Sequence, residues 1–439
     1  MGKIPGIQGP ANIQTKQLRI AQLAKERPNL AFTSLSHYID MHWVHEAYVR
    51  TRKSGATGVD GKTAEDFEQD LTGNLKRLVE RLKSGNYKAP PVRRIYLEKG
   101  NGKKRPIGIP TFEDKVLQRA VTMILEPIYE QDFYDFSYGF RPGRSAHNAV
   151  KAVSEHLWKV RGAWIVEVDI SGFFDNIAHG SLRSVLDQRV RDGVLRRSID
   201  KWLRAGILED GNITKSLQGT PQGGVVSPLL ANIFLHEVAD KWFRNEVQPR
   251  VPGAMMFRFA DDIVMAFSSK KEAEKVLEVT KKRFEKFGLT LHPDKTRIID
   301  FRRPVRMKPG KDERPGTIGF LGFDLYWAVG RKKYWCLKKK TRTKKLRESL
   351  QEISKWCRAH RHMKVKWQHK KLAEKIKGHY AYFAVTGNMP SLENFFFGTG
   401  RIWYKWLSRR SQKKHLSKTE YFKRLRRNPL PFPKIVHRW

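Results

Sequence analysis

The segment Phe257-Arg258-Phe259-Ala260-Asp261-Asp262-Ile263-Val264-Met265-Ala266-Phe267 sets two adjacent carboxylates between two apolar runs. The flanks predict two strands joined by a tight turn, with the acids at its tip. Adjacent acids repel each other, and a turn needs only one of them. A third carboxylate supplies a reason for the arrangement: Asp169 ends the apolar run Trp164-Ile165-Val166-Glu167-Val168. Three carboxylates at the ends of neighbouring strands could hold two divalent cations roughly 3.5–4 Å apart, the separation used for in-line phosphoryl transfer. Taken alone, an Asp-Asp pair also suits a solvated turn, so the rest of the chain decides.

Charge narrows the choice. The 439 residues carry 86 Lys+Arg against 44 Asp+Glu, a net +42, with 40% hydrophobic residues. That apolar content suits a folded chain of two or three domains. The excess of cations repels itself in a compact state unless a polyanion relieves it. Nucleic acid is the expected partner, bound in a salt-sensitive way. The excess is uneven: residues 331–439 hold 32 Lys+Arg against 5 Asp+Glu, or +27 of the +42. This predicts a catalytic body and a basic, nucleic-acid-gripping appendage. No run of about 18 apolar residues is present to span a bilayer, and Met1–Pro10 lacks the apolar core of a signal peptide. No membrane partner is expected. Cys336 and Cys357 make neither a disulfide framework nor a four-cysteine zinc site, which points to a reducing, cytoplasmic compartment.

Along the chain, residues 1–35 allow a helical start or a basic arm. Helical periodicity runs over 37–49, Asp66–Leu82, 113–130, 145–160, 181–205, from about Pro228, and over 271–287. Val92–Leu97 alternates as a strand before the turn Lys99-Gly100-Asn101-Gly102. Helices mixed with a few antiparallel strands indicate an α+β catalytic domain rather than a βαβ repeat. After the basic turn Gly330-Arg331-Lys332-Lys333 the pattern turns helical. Leu346, Leu350, Ile353 and Cys357 share one face, and Leu372, Ile376, Tyr380 and Phe383 another.

Further motifs surround the acids. Asp169 is followed by Ile170-Ser171-Gly172-Phe173-Phe174, and a later motif reads Thr220-Pro221-Gln222-Gly223-Gly224-Val225-Val226-Ser227-Pro228-Leu229-Leu230-Ala231-Asn232. Together with Phe259-Ala260-Asp261-Asp262, in this order and spacing, these segments resemble reverse transcriptases, specifically the proteins encoded by group II introns. The family more often has Tyr where Phe259 stands. The resemblance continues through Lys99-Gly-Asn-Gly-Lys-Lys-Arg105, similar to the fingers hairpin, and through Tyr138–His147. It extends to Gly288–Thr296, similar to the fourth palm motif, and to Phe320-Leu321-Gly322-Phe323, similar to the primer grip.

The resemblance implies a right-hand polymerase fold, with fingers and palm followed by an α-helical thumb or maturase domain. It implies a catalytic set of Asp169, Asp261, Asp262 and Lys295. Asp169, Asp261 and the carbonyl of Ile170 would hold two Mg²⁺, with Mn²⁺ a possible substitute and Asp262 a supporting acid. Lys99 and Arg105 would grip the incoming dNTP, as cations on a Gly-rich hairpin suit phosphate. Gln222 and Gly223 would contact the nucleotide, Phe174 would act as a steric gate against a 2′-hydroxyl, and Lys295 would donate a proton to pyrophosphate.

Ile376–Asn388 resembles the family's thumb, and Arg401–Leu407 interleaves aromatics with cations as nucleic-acid surfaces do. Asn428–His437 resembles the tails of compact members that lack an endonuclease, so the chain is not expected to nick a second DNA strand itself. The domains expected are an N-terminal extension (1–35), fingers and palm (36–330), thumb (335–412) and a basic tail (413–439). The implied function is an RNA-directed DNA polymerase that also binds intron RNA as a maturase. Its partners would be intron RNA in a ribonucleoprotein, target DNA, the RNA–DNA template–primer duplex and dNTPs. The alternatives are a reverse transcriptase of retron or defence type, and a splicing factor without polymerase activity.

Overall fold

A computed structural model describes residues 10–98, 104–209, 212–214, 219, 223–306, 315–330, 332–410 and 416–439. The chain forms two compact units. One comprises 1–145, 168–267 and 271–297, the other 146–167, 268–270 and 298–439.

The first unit is organised on the helix Phe112–Asp132. Val116, Leu117, Ala120, Val121, Ile124, Leu125 and Ile128 on it are fully buried. Thr111 caps its start by accepting a hydrogen bond from the Asp114 N–H. The N-terminal segment, open between a helix and an arm on sequence, is the helix Pro10–Glu26. Ile13, Ile20 and Ala24 are buried along it, and Gln17 Nε2 donates to the Met123 carbonyl at 2.8 Å. Helices Met41–Arg50 and Ser227–Leu235 overlap the expected segments, and the stretch expected over 181–205 is two helices, His179–Asp187 and Gly193–Arg204. The single helix expected over Asp66–Leu82 is two, Ala64–Glu68 and Leu71–Lys83. Asp70 separates them because its carboxylate accepts from the Gly73 N–H and starts a new helix.

Four strands form one sheet in this unit, in the order Lys104–Ile109, Val92–Glu98, Ile207–Glu209, Asn212–Thr214. The first two pair antiparallel from Arg93↔Ile109 to Glu98↔Lys104. Residues 99–103 between them, and Lys99 with them, lie outside the described residues.

In the second unit, Ile318–Phe320, Phe323–Val329 and Trp335–Thr341 form an antiparallel sheet. The helical pattern expected directly after residue 333 therefore begins only at Thr343. Residues 335–341 are held extended by pairing from Val329↔Trp335 to Phe323↔Thr341. Helices Thr343–Ala359, Val365–Phe383, Met389–Ser408 and Lys418–Arg427 follow. Ile353, Cys357, Leu372, Ile376, Tyr380, Phe395 and Trp403 form their common core. Among the described residues, no helix is long and apolar enough to cross a membrane.

Asp192 ties two distant segments of the first unit together. Its carboxylate accepts from the N–H groups of Leu35 (2.7 Å), Ser36 (2.8 Å), Val194 (2.9 Å) and Leu195 (3.0 Å). Burial opposes its ionisation, but the hydrogen bonds from Leu195, Leu35 and Ser36 prevail and hold the carboxyl below its usual range. Its stabilising effect is thus full above the unfolded carboxyl pKa and fades as pH falls towards the lower folded one. Asp192→Asn should cost about 1–3 kcal/mol in urea denaturation near neutral pH. The gap from wild type should shrink below about pH 4; a gap that stays constant down to strong acid contradicts this role.

Candidate active site

Strands Met255–Phe259 and Asp262–Phe267 pair antiparallel, from Met255↔Ala266 to Phe259↔Asp262, so Ala260 and Asp261 form the turn. The turn is strained. Ala260 has φ +54°, a left-handed conformation that an alanine adopts only when its surroundings enforce it. Two contacts enforce it. Gly139 packs so closely that a Cβ there would lie 2.4 Å from the Ala260 nitrogen. Arg258 Nη1 donates to the Ala260 carbonyl at 3.2 Å.

Arg258 is itself fully buried in the middle of an apolar strand. Its Nε and Nη2 donate to the two carboxylate oxygens of Asp240, at 2.7 and 2.5 Å. Nη1 also donates to Asn232 Oδ1 (2.9 Å), and Nη2 to Ser137 Oγ (2.7 Å). Asn232 Nδ2 in turn donates to the Gly139 carbonyl. Burial opposes ionisation of Asp240, and the Arg258 charge and the His236 hydrogen bond outweigh it, holding the carboxyl below its usual range. The ion pair thus bridges the acid turn, the helical segment after Ser227 and the Ser137–Gly139 loop.

Asp169 is fixed by a second frame. Its carbonyl accepts from the His292 N–H at 2.8 Å, and Ser171 N–H donates to the Thr290 carbonyl at 2.8 Å. Ile170 is buried and bridges Leu291 antiparallel. Lys295 Nζ reaches both carboxylate oxygens of Asp169, at 3.0 and 3.1 Å. Asp261 is half-buried. Burial pushes its carboxyl up, as does the negative charge of Asp169, while its own backbone N–H and the charges of Arg105 and Lys295 pull it down. The net shift is upward. Asp169, Asp261, Arg105 and Lys295, four of the residues picked out on sequence, therefore lie within electrostatic reach of one another.

The remaining candidates are placed as follows. Asp262 is exposed and opens the second strand of the hairpin. Arg105 is exposed on the strand Lys104–Ile109. Phe174 is 9% exposed and packs edge-on against Phe173, with ring centres 5.2 Å apart. Gly223, at φ +122°, packs where a Cβ would lie 2.4 Å from the Gly108 carbonyl oxygen, against the strand that carries Arg105. Gln222, like Lys99, lies outside the described residues. Arg141, in the Tyr138–His147 block, turns inward and binds Glu130 and the carbonyls of Tyr134 and Ser137. Asn232 closes the Thr220–Asn232 motif, whereas the sequence alone does not mark Arg258 or Asp240 as functional. An arginine flanked by Phe257 and Phe259 was the available signal.

Among the described residues, no three His, Cys, Asp or Glu side chains converge into a ready metal cage. Two carboxylates with a backbone carbonyl suit Mg²⁺ nonetheless, because that ion typically takes one or two carboxylates and completes its shell with substrate phosphates and water. Burial first, and then the negative charge of Asp169, make the ionised form of Asp261 costly, and a divalent cation would relieve both.

Residues 97–325, just over half of the chain, match the family described as "Reverse transcriptase (RNA-dependent DNA polymerase)". The chain belongs to the reverse transcriptase family. Its fold is that of these polymerases, mixed α/β with antiparallel sheets and a helical C-terminal part. It is similar to "Group II intron-encoded protein LtrA" of Lactococcus lactis subsp. cremoris, 43% identical over 225 residues, which is 50% of this chain and 37% of LtrA. It thus spans little more than a third of that relative. It is also similar to "Protein YkfC" of Escherichia coli, 34% identical over 321 residues, 65% of this chain and 84% of YkfC. A third relative is "Nuclear intron maturase 2, mitochondrial" of Arabidopsis thaliana, 27% identical over 230 residues. Reverse transcriptases as a family work with divalent metals.

Two outcomes follow for this site. Arg258→Met or Asp240→Leu alone should each cost about 3–5 kcal/mol, since each strands a buried charge. The double variant should cost less than their sum in urea denaturation, and additive losses would contradict the pairing. Asp261→Asn removes a carboxylate whose folded pKa is raised, so its ionisation costs stability progressively as pH rises from the unfolded carboxyl pKa to the folded one, and in full above it. The Asn variant should be the more stable protein near neutral pH, with the difference vanishing in acid, where both states of the wild type are protonated. A wild type that melts higher near neutral pH contradicts the assignment.

Proposed function

We propose that this chain is an RNA-directed DNA polymerase encoded by a group II intron, which copies RNA into DNA during intron mobility and binds intron RNA as a maturase. The observation that carries the reading is the electrostatic pairing of Asp169 and Asp261 on two independently braced segments of a reverse transcriptase chain. The maturase role is supported by the names of the relatives, one an intron-encoded protein and another an intron maturase. It is supported too by the basic C-terminal quarter.

In this reading Asp169, Asp261 and the Ile170 carbonyl hold two Mg²⁺, or Mn²⁺ in their place, and Asp262 supports them. When bound, the ions lower the pKa of the primer 3′-hydroxyl and neutralise charge on the leaving pyrophosphate. The rigid turn around Ala260 fixes where the Asp261 oxygens point, and positioning dominates phosphoryl transfer. Lys99 and Arg105 draw the triphosphate towards the acids. Gln222 and Gly223 meet the nucleotide, and Phe174 closes the space beside its 2′ carbon. Lys295 leaves Asp169 for the pyrophosphate, to which it gives a proton. The domains keep their functional division: extension 1–35, fingers and palm 36–330, thumb 335–412, basic tail 413–439. Intron RNA, target DNA, the template–primer duplex and dNTPs are the partners, in a bacterial cytoplasm or an organelle.

Primer extension on poly(rA)/oligo(dT) with Mg²⁺ is the direct test. Wild type should incorporate dTTP, and Asp261→Ala with Asp262→Ala should abolish incorporation while leaving intron RNA binding and splicing nearly intact. A wild type that extends nothing yet promotes splicing refutes the polymerase, and equal loss of both activities makes the acids structural. Because a metal ligand must be deprotonated, the Mg²⁺ concentration for half-maximal extension should rise as pH is lowered into the carboxyl range. A requirement that stays constant through that range contradicts ligation by Asp261.

A further inference from the structure

The C-terminal helices enclose a cavity of about 910 Å³, away from the acid turn in the chain. Its lining comes from the start of Val365–Phe383, the end of Met389–Ser408 and the helix Lys418–Arg427. Lys364, Lys366, Lys370, Arg424 and Arg427 line it, and among the described residues no acid does. All of these cations are exposed, and Arg424 also bonds Glu420 outside the lining. A neighbouring cavity of about 700 Å³ differs on this point: Glu348 and Glu352 stand among its lysines and neutralise them.

Behind the cations the cavity is aromatic and apolar, with Trp367, Trp403, Tyr421 and Leu425. The polar ends of the two buried rings are already satisfied. Trp403 Nε1 donates to Gln368 Oε1 at 3.0 Å, and the Tyr421 hydroxyl donates to the Gly400 carbonyl at 2.8 Å. Among the described residues of the lining, His369 Nε2 is the buried side-chain polar atom with no hydrogen-bond partner. The four residues Lys364–Trp367 are the N-cap and first turn of their helix, which has no acid and no side-chain cap there. Its unbonded N–H groups add partial positive charge.

We propose that this cavity takes one unpaired nucleotide of a single-stranded polynucleotide. The base enters against Trp367, and the flanking phosphates lie on the lysines and arginines. The chemistry matches term by term. A flat heterocycle fits an aromatic interior. Its anionic backbone fits a rim of cations without acids. The volume lies within the range of small-ligand sites. A duplex keeps its bases stacked inside and offers only phosphates, which would leave the aromatic interior unfilled. An acidic peptide would leave it unfilled as well. This inference rests on the reading of the chain as a nucleic-acid polymerase, and its test separates the two.

The test uses the full-length protein and single strands of about 12 nucleotides carrying one photoreactive base, 4-thiouridine in RNA or 4-thiothymidine in DNA. Irradiation and peptide mapping should place crosslinks within 364–370 or 421–428, and the arm that crosslinks identifies RNA or DNA as the source. Trp367→Ala should weaken single-strand binding about tenfold, with Trp367→Phe restoring most of it. Lys366→Glu with Lys370→Glu, both at exposed positions, guards against misfolding of the tryptophan variant. It should weaken single-strand binding more than binding of the matching duplex. Crosslinks confined to other segments, or equal losses on single strand and duplex, overturn the proposal. Wild-type primer extension is read in parallel: extension with crosslinks elsewhere sinks the cavity alone, and cavity crosslinks without extension sink the polymerase alone.

Discussion

The ion pair of Arg258 with Asp240 is the contact on which the active site depends. A buried pair of this kind gives little net stability compared with well-packed apolar residues, because desolvation cancels most of the attraction. What it gives here is geometry. The guanidinium has donors in a fixed fork, and here they satisfy the Asp240 carboxylate, Asn232, Ser137 and the Ala260 carbonyl together. The helical segment after Ser227 and the Ser137–Gly139 loop are thereby locked to the turn. The left-handed alanine beside Asp261 is affordable only inside such a frame.

The same logic explains why the site is electrostatically unbalanced. Asp261 is desolvated and faces the charge of Asp169, and Arg105 and Lys295 only partly offset this. A fold selected for stability alone would not keep two carboxylates so arranged. Strain and like-charge repulsion concentrated at one place are the expected marks of a functional centre. Lys295 on Asp169 shows the site answering its own charge with the nearest cation.

Much of this was legible in the sequence. The acid hairpin was readable because apolar residues flank a pair of acids that cannot be core, and Asp169 because a strand pattern ends on it. Helix faces in the C-terminal quarter were readable because 3.6-residue periodicity survives there, and Ile353, Cys357, Leu372 and Ile376 are core as expected. Other features were hidden by local ambiguity. Asp70 looks like one more polar residue on an amphipathic helix until its carboxylate caps Gly73. Residues 335–341 are rich in lysine and read as a helical approach, and only pairing with Phe323–Val329 makes them a strand. The short strands Ile207–Glu209 and Asn212–Thr214 carry too few residues for any period to show. Arg258 was the most informative residue passed over, since its partners Ser137, Asn232 and Asp240 are distant in sequence and meet it only in the fold.

The central claim is that Asp169 and Asp261 hold divalent metal between them. Iron-directed cleavage tests it most directly: Fe²⁺ substituted for Mg²⁺ generates short-lived radicals that cut the backbone beside the bound ion. The account predicts fragments ending near residues 169–171 and 260–262, suppressed by excess Mg²⁺ and lost in Asp261→Ala. Cleavage confined to other segments, or fragments at these positions that persist in Asp261→Ala, would contradict it.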